Sequence, residues 1–533
     1  MWTAIRRESE RLLCAPPFSF YFDLVQKYWK SSHDGAEPLH RMCTIARKMD
    51  VKTVIIEYVV SRPDIEAEID ALDLCQNGDH PQNGHGEAEI IAVNFFSTET
   101  DLESLAEADK DSFLGQAIII NYKKSGNDNY LLSYVYEAVF IIPRTKCAIG
   151  GHVLPLLNNY IYSDVDFNVL VRDVYFKVKG IYYSQQNNIT SVCAHACLRM
   201  AVNSYQTGSS GITNAWINKN LFLPPPDSRI KGLSLKQIMK IIHKCGLAPV
   251  ITDCLEYEHA AHMSALHSTI DSGYPALLVF TTNNESENSP VDHVVLVFGH
   301  TRNSDEWHPQ AIPAYAGHKS APYYPASAWA DHYLIHDDSF GPYYTFASRS
   351  LEIESNVKAR YIISLYPKSV VADSVLAENA SSMFMAKIKK VADELVAKYG
   401  ESKWLKYMAE NNIKYVLRTV LITREEYIEH ISSAIDHDNQ TLDKTSAHHF
   451  NSIPDIFWMV EISLPHIYTG NRGKLGELIV AADIEHKDIK CELIINAVRL
   501  PGVFIYNEFQ EYAEIDIKSH INIYRSRKCA NEW

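Results

Sequence analysis

The chain has 533 residues, 46% of them hydrophobic and 22% charged, with a net charge of −15 at pH 7 and a pI near 5.8. That length exceeds one ordinary core and predicts several domains. The acidic balance argues against a general nucleic-acid binder. No run of about 18 or more apolar residues occurs, so no membrane span is expected. The N-terminal MWTAIRRESERLL carries charges where a signal peptide needs an apolar core, which points to a cytoplasmic chain. Ten cysteines are scattered without a CxxC pair, which fits reduced thiols and not a disulfide framework. His259 and His262 share an HxxH spacing, but further ligands are missing nearby, so neither a metal nor another cofactor is expected.

Residues 1–175 read as an α+β region. The amphipathic stretch SFYFDLVQKYWK comes first. Four strand-like runs rich in β-branched and aromatic residues follow: VKTVIIEYVV, AEIIAVNFF, QAIIINYKK and YLLSYVYEAVFIIP. A polar loop with Asn-Gly turns, CQNGDHPQNGHGEAE, separates the first two. No catalytic motif stands out in this region.

Residues 176–367 open on the strand RDVYFKVKG and a Gln-rich loop, then a helix beginning at Cys193. A helix start in TNAWINKNL, the proline-rich loop LPPPDS and the helix LSLKQIMKIIHKC, ended by Gly246, come next. Strands are predicted in APVIT, PALLVFTT, HVVLVFGH, HYLIHD and ARYIISLYP, so this region too is α+β. Residues 368–445 read as helical. Met383, Phe384, Ile388, Val391, Leu395, Val396 and Tyr399 keep helical spacing, with Gly400 as C-cap. A second helix is predicted from Thr423, with Glu426 completing a capping box. Residues 446–533 return to strands in IFWMVEISLP, GELIVAADI, CELIINAVRL and VFIYNEF.

Chemistry concentrates in the central region. Cys193 opens its helix, where unsatisfied N–H groups and the macrodipole stabilise a thiolate. Cys197, one turn deeper and flanked by Ala196 and Leu198, reads as a packed small residue. Gln185 and Gln186 lie just upstream, and a side-chain amide there can help hold an oxyanion. His293 enters the apolar strand VVLVFGH, a rigid mount for a general base. The strand HYLIHD ends on Asp337, placed to orient an imidazole, while Asp338 begins a turn and reads as a backbone-capping aspartate. These residue types suggest a thiol hydrolase.

Four segments in order carry a resemblance to a known family. CAHACLRM is similar to the C-G-x-A-C-L-x-M signature of bacteriocin-processing, double-glycine leader peptidases of the papain-like clan. DSGYPALLVF resembles that family's G-x-P-apolar strand, DHVVLVFGH its histidine strand and HDDSFG its D-P-x-x-G turn. The helix SLKQIMKIIHKCGL fits between them. The resemblance covers residues 182–366 and implies a papain-like cysteine peptidase domain. An N-terminal α+β domain (1–175), a helical segment (368–445) and a C-terminal β-rich domain (446–533) would flank the domain at 176–367. It also implies Cys193 as nucleophile, His293 as base, Asp337 as orienter and an upstream glutamine as oxyanion donor.

Departures from the family pattern are visible. The family's glutamine lies one residue nearer the cysteine than Gln186, and Asn187 has that spacing, so Gln185, Gln186 and Asn187 all stay candidates. His195 reads as a solvent-facing first-turn residue. Asp338 stands where the family has proline. A long segment between His293 and Asp337 is rich in Pro, Tyr and Ala. Its Trp307, Tyr315, Tyr323, Tyr324 and Trp329 are candidates either to contact substrate or to form the loop's own small core. The exporter context of many such peptidases is missing, as there are no membrane helices and no phosphate-binding loop of the GxxxxGK[ST] kind. The expected function is hydrolysis of a peptide, isopeptide or other amide bond through an acyl-enzyme. A papain-like deamidase or acyltransferase is a second reading, and a non-catalytic protein-binding module a third. A protein or peptide substrate is the expected partner, with a regulatory protein conceivable through the flanking domains.

Overall fold

The computed structural model describes residues 2–516 and 524–525 with gaps. The longer gaps are 14–18, 79–83, 206–210, 224–231, 283–290, 304–322, 352–356, most of 391–413, 434–452 and 485–493. The molecule is a mixed α/β structure built on three mainly antiparallel sheets. Among the described residues no helix is long and apolar enough to cross a membrane.

The first sheet has eight strands: β1 (Thr3–Ala4), β2 (Glu10–Leu13), β3 (Thr53–Tyr58), β4 (Glu87–Phe96), β5 (Phe113–Lys123), β6 (Leu132–Ile141), β10 (Val165–Val171) and β11 (Val174–Tyr183). Its order is β10-β11-β6-β5-β4-β3-β2, with β1 parallel to β4. Between β6 and β10 lie a two-stranded ribbon, β7 (Lys146–Ile149) with β8 (His152–Pro155), and the short β9 (Asn159–Ile161). Helices cover both faces, and the period-two pattern of β4 shows why. Ile91, Val93 and Phe95 pack on the side of α1 (Ser19–Tyr28) and α2 (Glu37–Lys48). Ala88, Ile90 and Ala92 face the other way, against Ile65, Ile69 and Leu72 of α3 (Pro63–Asn77).

The central elements are α4 (Cys193–Tyr205), α5 (Asn214–Leu221), α6 (Leu235–Lys244), β12 (Leu247–Asp253), α7 (His259–Asp271), β13 (Ala276–Thr282), β14 (Val291–Thr301), β15 (Tyr324–Pro325), β16 (His332–Asp337), β17 (Gly341–Ala347) and β18 (Val357–Pro367). Their sheet runs β12-β18-β13-β14-β16-β17, and β9 adds to β14. Helix α6 starts on a capping box between Ser234 and Gln237 and turns off at Gly246, whose φ is +76°.

The expected boundary near residue 175 moves. The strand read as the opening of the central domain is β11, which pairs with β6 of the first sheet. Helix α4 is wedged between β11 and β14, and its Cys197, Leu198 and Ala201 share one core with Ile181 and Tyr183 on one side and Val294 and Leu296 on the other. The first two regions are therefore fused through a common apolar interior.

The third layer holds α8 (Ser374–Lys390), β19 (Val416–Thr423), α9 (Arg424–Ser433), β20 (Ile456–Ser463), β21 (Gly473–Lys474), β22 (Gly476–Ala481), β23 (Ile495–Leu500), β24 (Val503–Glu508), β25 (Glu511–Asp516) and β26 (Tyr524–Arg525). The sheet runs β15-β19-β20-β22-β23-β24-β25, and β21 pairs with β26. The helical reading of 368–445 needs correction, because Val416–Thr423 is a strand buried between β15 and β20. Its run VLRTVLIT is β-branched, and packing on a sheet decides such a segment. The helix start at Thr423 is as expected: Glu426 N–H donates to Thr423 Oγ1 at 3.2 Å, and Thr423 N–H to Glu426 Oε2 at 3.0 Å. Val391, Leu395, Val396, Tyr399 and Gly400 of the preceding helical pattern lie outside the described residues.

A buried chain of alternating charges ties this layer to α7. Arg418 Nε donates to Asp271 Oδ2 at 2.6 Å and Arg418 Nη1 to Glu461 Oε2 at 2.8 Å. Lys474 Nζ then lies 2.9 Å from Glu461 Oε1 and 3.4 Å from Glu477 Oε2, and Glu477 binds Arg499. Losing one member strands its neighbours as uncompensated buried charges. Arg418→Ala is accordingly expected to destabilise the protein by roughly 3–5 kcal/mol, measured by urea unfolding. A loss below roughly 1 kcal/mol, the range of an exposed pair, would contradict this role.

Candidate active site

The loop before α4 is built around a buried carboxylate that comes from far away in sequence. Glu68 of α3 is 1% exposed. Its Oε1 accepts from Asn187 Nδ2 at 2.8 Å, Thr190 Oγ1 at 2.9 Å, Asn214 Nδ2 at 3.1 Å and Tyr134 OH at 3.2 Å. Asn187 Oδ1 in turn accepts the backbone N–H of Ile189, Thr190 and Ser191. Asn188 takes a left-handed φ of +60°, a conformation that asparagine tolerates. The loop thereby delivers Cys193, half-buried, as the first residue of α4.

His293 of β14 is hydrogen-bonded to Cys193, and its Nε2–H donates to Asp337 Oδ2 at 3.2 Å. Asp338 Oδ1 lies 3.6 Å from the same nitrogen. The Phe280 ring meets the imidazole edge-on, with centroids 5.4 Å apart. Burial by itself would lower the His293 pKa. The hydrogen bonds with Asp337 and Cys193 and the two aspartate charges outweigh it and raise it to about 10. Asp337 is buried too, yet its contact with His293 and the N–H groups of Ser339 and Phe340 hold its pKa below the usual carboxylate value. Burial, reinforced by the Asp337 charge, pushes Asp338 up to about 7.

The acidic turn is gripped from the first sheet. Tyr183 OH donates to the carbonyl oxygens of Asp337 and Asp338, each at 3.2 Å. Arg41 Nε donates to Pro342 O at 3.1 Å, Arg41 Nη2 to Tyr343 O, and the guanidinium lies 4.3 Å from the Tyr344 ring centre. Gly341 has φ +120°, and a Cβ there would stand 2.9 Å from Arg41 Cβ and 3.0 Å from Pro38 Cα. Glycine thus lets α2 approach the turn. Glu68, Tyr183 and Arg41 escaped the sequence reading because no local pattern marks a partner 100 or more residues away.

Cys197 is packed as expected, while several other candidates sit elsewhere than expected. Cys197 is fully buried, its Sγ–H donates to Val294 O at 3.2 Å, and burial pushes its thiol well up. His195 faces the interior, in place of solvent. It is 0% exposed, its Nε2 is 2.8 Å from Asn218 Oδ1, and burial lowers its pKa to about 4. Asp338 is not the turn cap. Asp337 Oδ1 performs that service for Ser339 and Phe340, at 2.8 and 3.1 Å, while Asp338 is 0% exposed. Gln185 is spent on scaffolding: Val135 N–H donates to its Oε1 and its Nε2 donates to Gly35 O. Asn187 is committed to Glu68 and the loop. Of the three amides, Gln186 is partly buried and is the one with no such scaffold bonds among the described residues.

Trp329 does not face a site. It is 1% exposed and packs on Val416 and Tyr468, whose ring centre is 5.1 Å away, because the third sheet covers this segment. Tyr323 is buried as well, whereas Trp307 and Tyr315 lie outside the described residues. His259 and His262 meet edge-on at 4.9 Å, and burial, with the His259 charge, lowers His262 to about 4. His267, Asp271 and His300 converge within the core. There Arg418 occupies Asp271 at 2.6 Å and Arg302 lies 3.7 Å away, so two guanidinium charges stand where a cation would have to enter.

No protein-family model matches this chain, and no curated protein matches its sequence.

The His293 geometry carries a consequence for stability. Its folded pKa, raised to about 10, exceeds the unfolded value near 6.5, so it contributes stability that is fully present below pH 6.5 and is lost as pH rises through 10. The gap in melting temperature between wild type and His293→Gln is therefore expected to shrink between pH 6 and pH 10. A gap that widens over that range would contradict the raised pKa.

Proposed function

We propose that this protein is a cysteine peptidase with a papain-like central domain, acting on a peptide, isopeptide or other amide bond. The observation that carries the reading is that His293 meets both Cys193 and Asp337. A cysteine at a helix N-terminus is hydrogen-bonded to an imidazole whose Nε2 is held by a buried carboxylate. An imidazolium and a helix N-terminus are the two features that favour a thiolate. A helix bearing cysteine, followed by an antiparallel sheet bearing histidine and then aspartate, also supports the resemblance drawn from the four motifs.

In this mechanism the Cys193 thiolate attacks the amide carbonyl carbon. The oxyanion is held by the backbone N–H of Cys193 and the Gln186 amide. His293 gives its proton to the leaving nitrogen, the C–N bond breaks and a thioester remains. His293, now neutral, takes a proton from water, whose oxygen attacks the thioester. The carboxylic acid leaves and the thiolate–imidazolium pair is restored. Asp337 keeps the ring oriented throughout. The chemistry needs a reduced thiol, which a cytoplasmic setting supplies.

The test is turnover of a panel of peptide and isopeptide substrates by the purified full chain. Cys193→Ala is expected to abolish it, and His293→Ala to lower kcat about 100-fold or more. Persistence of full activity in Cys193→Ala would sink the proposal and favour a chemistry elsewhere in the chain. Product formed with an added amine in place of water would instead identify acyl transfer.

A further inference from the structure

We infer that Asp338 is a second positioning residue for His293, its carboxyl forming with Asp337 a two-acceptor cradle around the imidazole Nε2–H. The inference rests on the reading of Cys193 and His293 as a nucleophile–base pair and adds a residue to it.

Three observations support the cradle. Asp338 is 0% exposed, and a carboxylate taken out of water costs several kcal/mol unless something offsets it. Neither of its oxygens has a hydrogen-bond partner among the described residues, so the burial does not serve the turn. The turn is already closed by Asp337 Oδ1 through Ser339 and Phe340. Lastly, Asp338 Oδ1 points at the nitrogen that Asp337 Oδ2 engages, 3.6 Å against 3.2 Å. A small tilt of the ring exchanges one acceptor for the other. When His293 is an imidazolium, two flanking acceptors hold its charge better than one.

The surroundings let Asp338 act this way. From β14 it faces His293, and from β16 its neighbour Asp337. From α4 the buried Cys197 thiol feels both aspartates, and from β11 Tyr183 does, its hydroxyl donating to their carbonyl oxygens. Tyr344 of β17 lies beyond Tyr183, and Arg41 of α2 is committed to the carbonyls of Pro342 and Tyr343. The cation that bears on Asp338 within this set is His293. Burial raises Asp338 to about 7, so its charge turns over near neutral pH while His293 stays protonated.

The test is the titration of His293, followed in the full chain by the ring resonances of 13C-labelled histidine and assigned through His293→Gln. In Asp338→Asn, an isosteric change, the midpoint is expected to fall by about one pH unit, a tenfold loss of proton affinity. Asp338→Ser, which leaves more room, is expected to show the same direction. Folding of both variants is checked by thermal unfolding. A midpoint unchanged from wild type in whichever variant folds would overturn the inference, since a merely structural carboxyl would alter melting and leave the titration alone. Cys193→Ala separates the two proposals: if removing the thiol leaves the wild-type His293 midpoint untouched, the nucleophile–base pairing fails, whatever Asp338 does.

Discussion

The buried carboxylate of Glu68 is the constraint on which the site depends. One oxygen collects donors from a strand, a loop and a helix: Tyr134 of β6, Asn187 and Thr190 before α4, and Asn214 at the start of α5. A buried charge of this kind is expensive unless each lone pair is occupied. The loop residues therefore have little freedom to rearrange. Their order fixes where α4 begins, and the beginning of α4 is where Cys193 stands. The first sheet is thus part of the candidate site's frame and not an appended module.

The same logic operates at the other end of the site. Tyr183 and Arg41 hold the backbone of the acidic turn, and the turn holds two carboxyls against one imidazole. Asp337 is partly stabilised by its own turn N–H groups, which keep it ionised, whereas Asp338 has only burial and its neighbours. Two adjacent aspartates are pushed in opposite directions by environments a few ångströms apart. His293 resolves the difference by remaining the cation between them.

Much of this was legible in sequence, and the misses have a common cause. Cys193, His293 and Asp337 could be nominated because each sits at the end of a strongly patterned local element. The structure brings these three together. The capping box at Thr423 and Glu426 was legible for the same reason, being a contact over three residues. Tertiary partners were not. His195 looked exposed until α5 supplied Asn218. Trp329 looked available until the third sheet covered it. Gln185 matched an oxyanion donor by type, but Val135 and Gly35 claim both ends of its amide. Strand β19 was absorbed into a helical reading because its partners, β15 and β20, are distant in the chain. The boundary near 175 failed for a related reason, since β11 adjoins the Cys193 helix in sequence but pairs with β6 of the first sheet.

The central claim is that Cys193 differs in kind from the other partly buried cysteines. Cys75 and Cys245 provide the internal standard, as burial pushes their thiols up to about 12 and about 11. The most direct measurement is alkylation of the native full chain by limiting iodoacetamide at pH 6, with the modified residues located by mass spectrometry. Cys193 should be labelled at least about tenfold faster than Cys75 or Cys245, because a thiolate is the reacting species. Labelling of Cys193 at the same rate as those two, or slower, would contradict the reading of Cys193 and His293 as an activated pair.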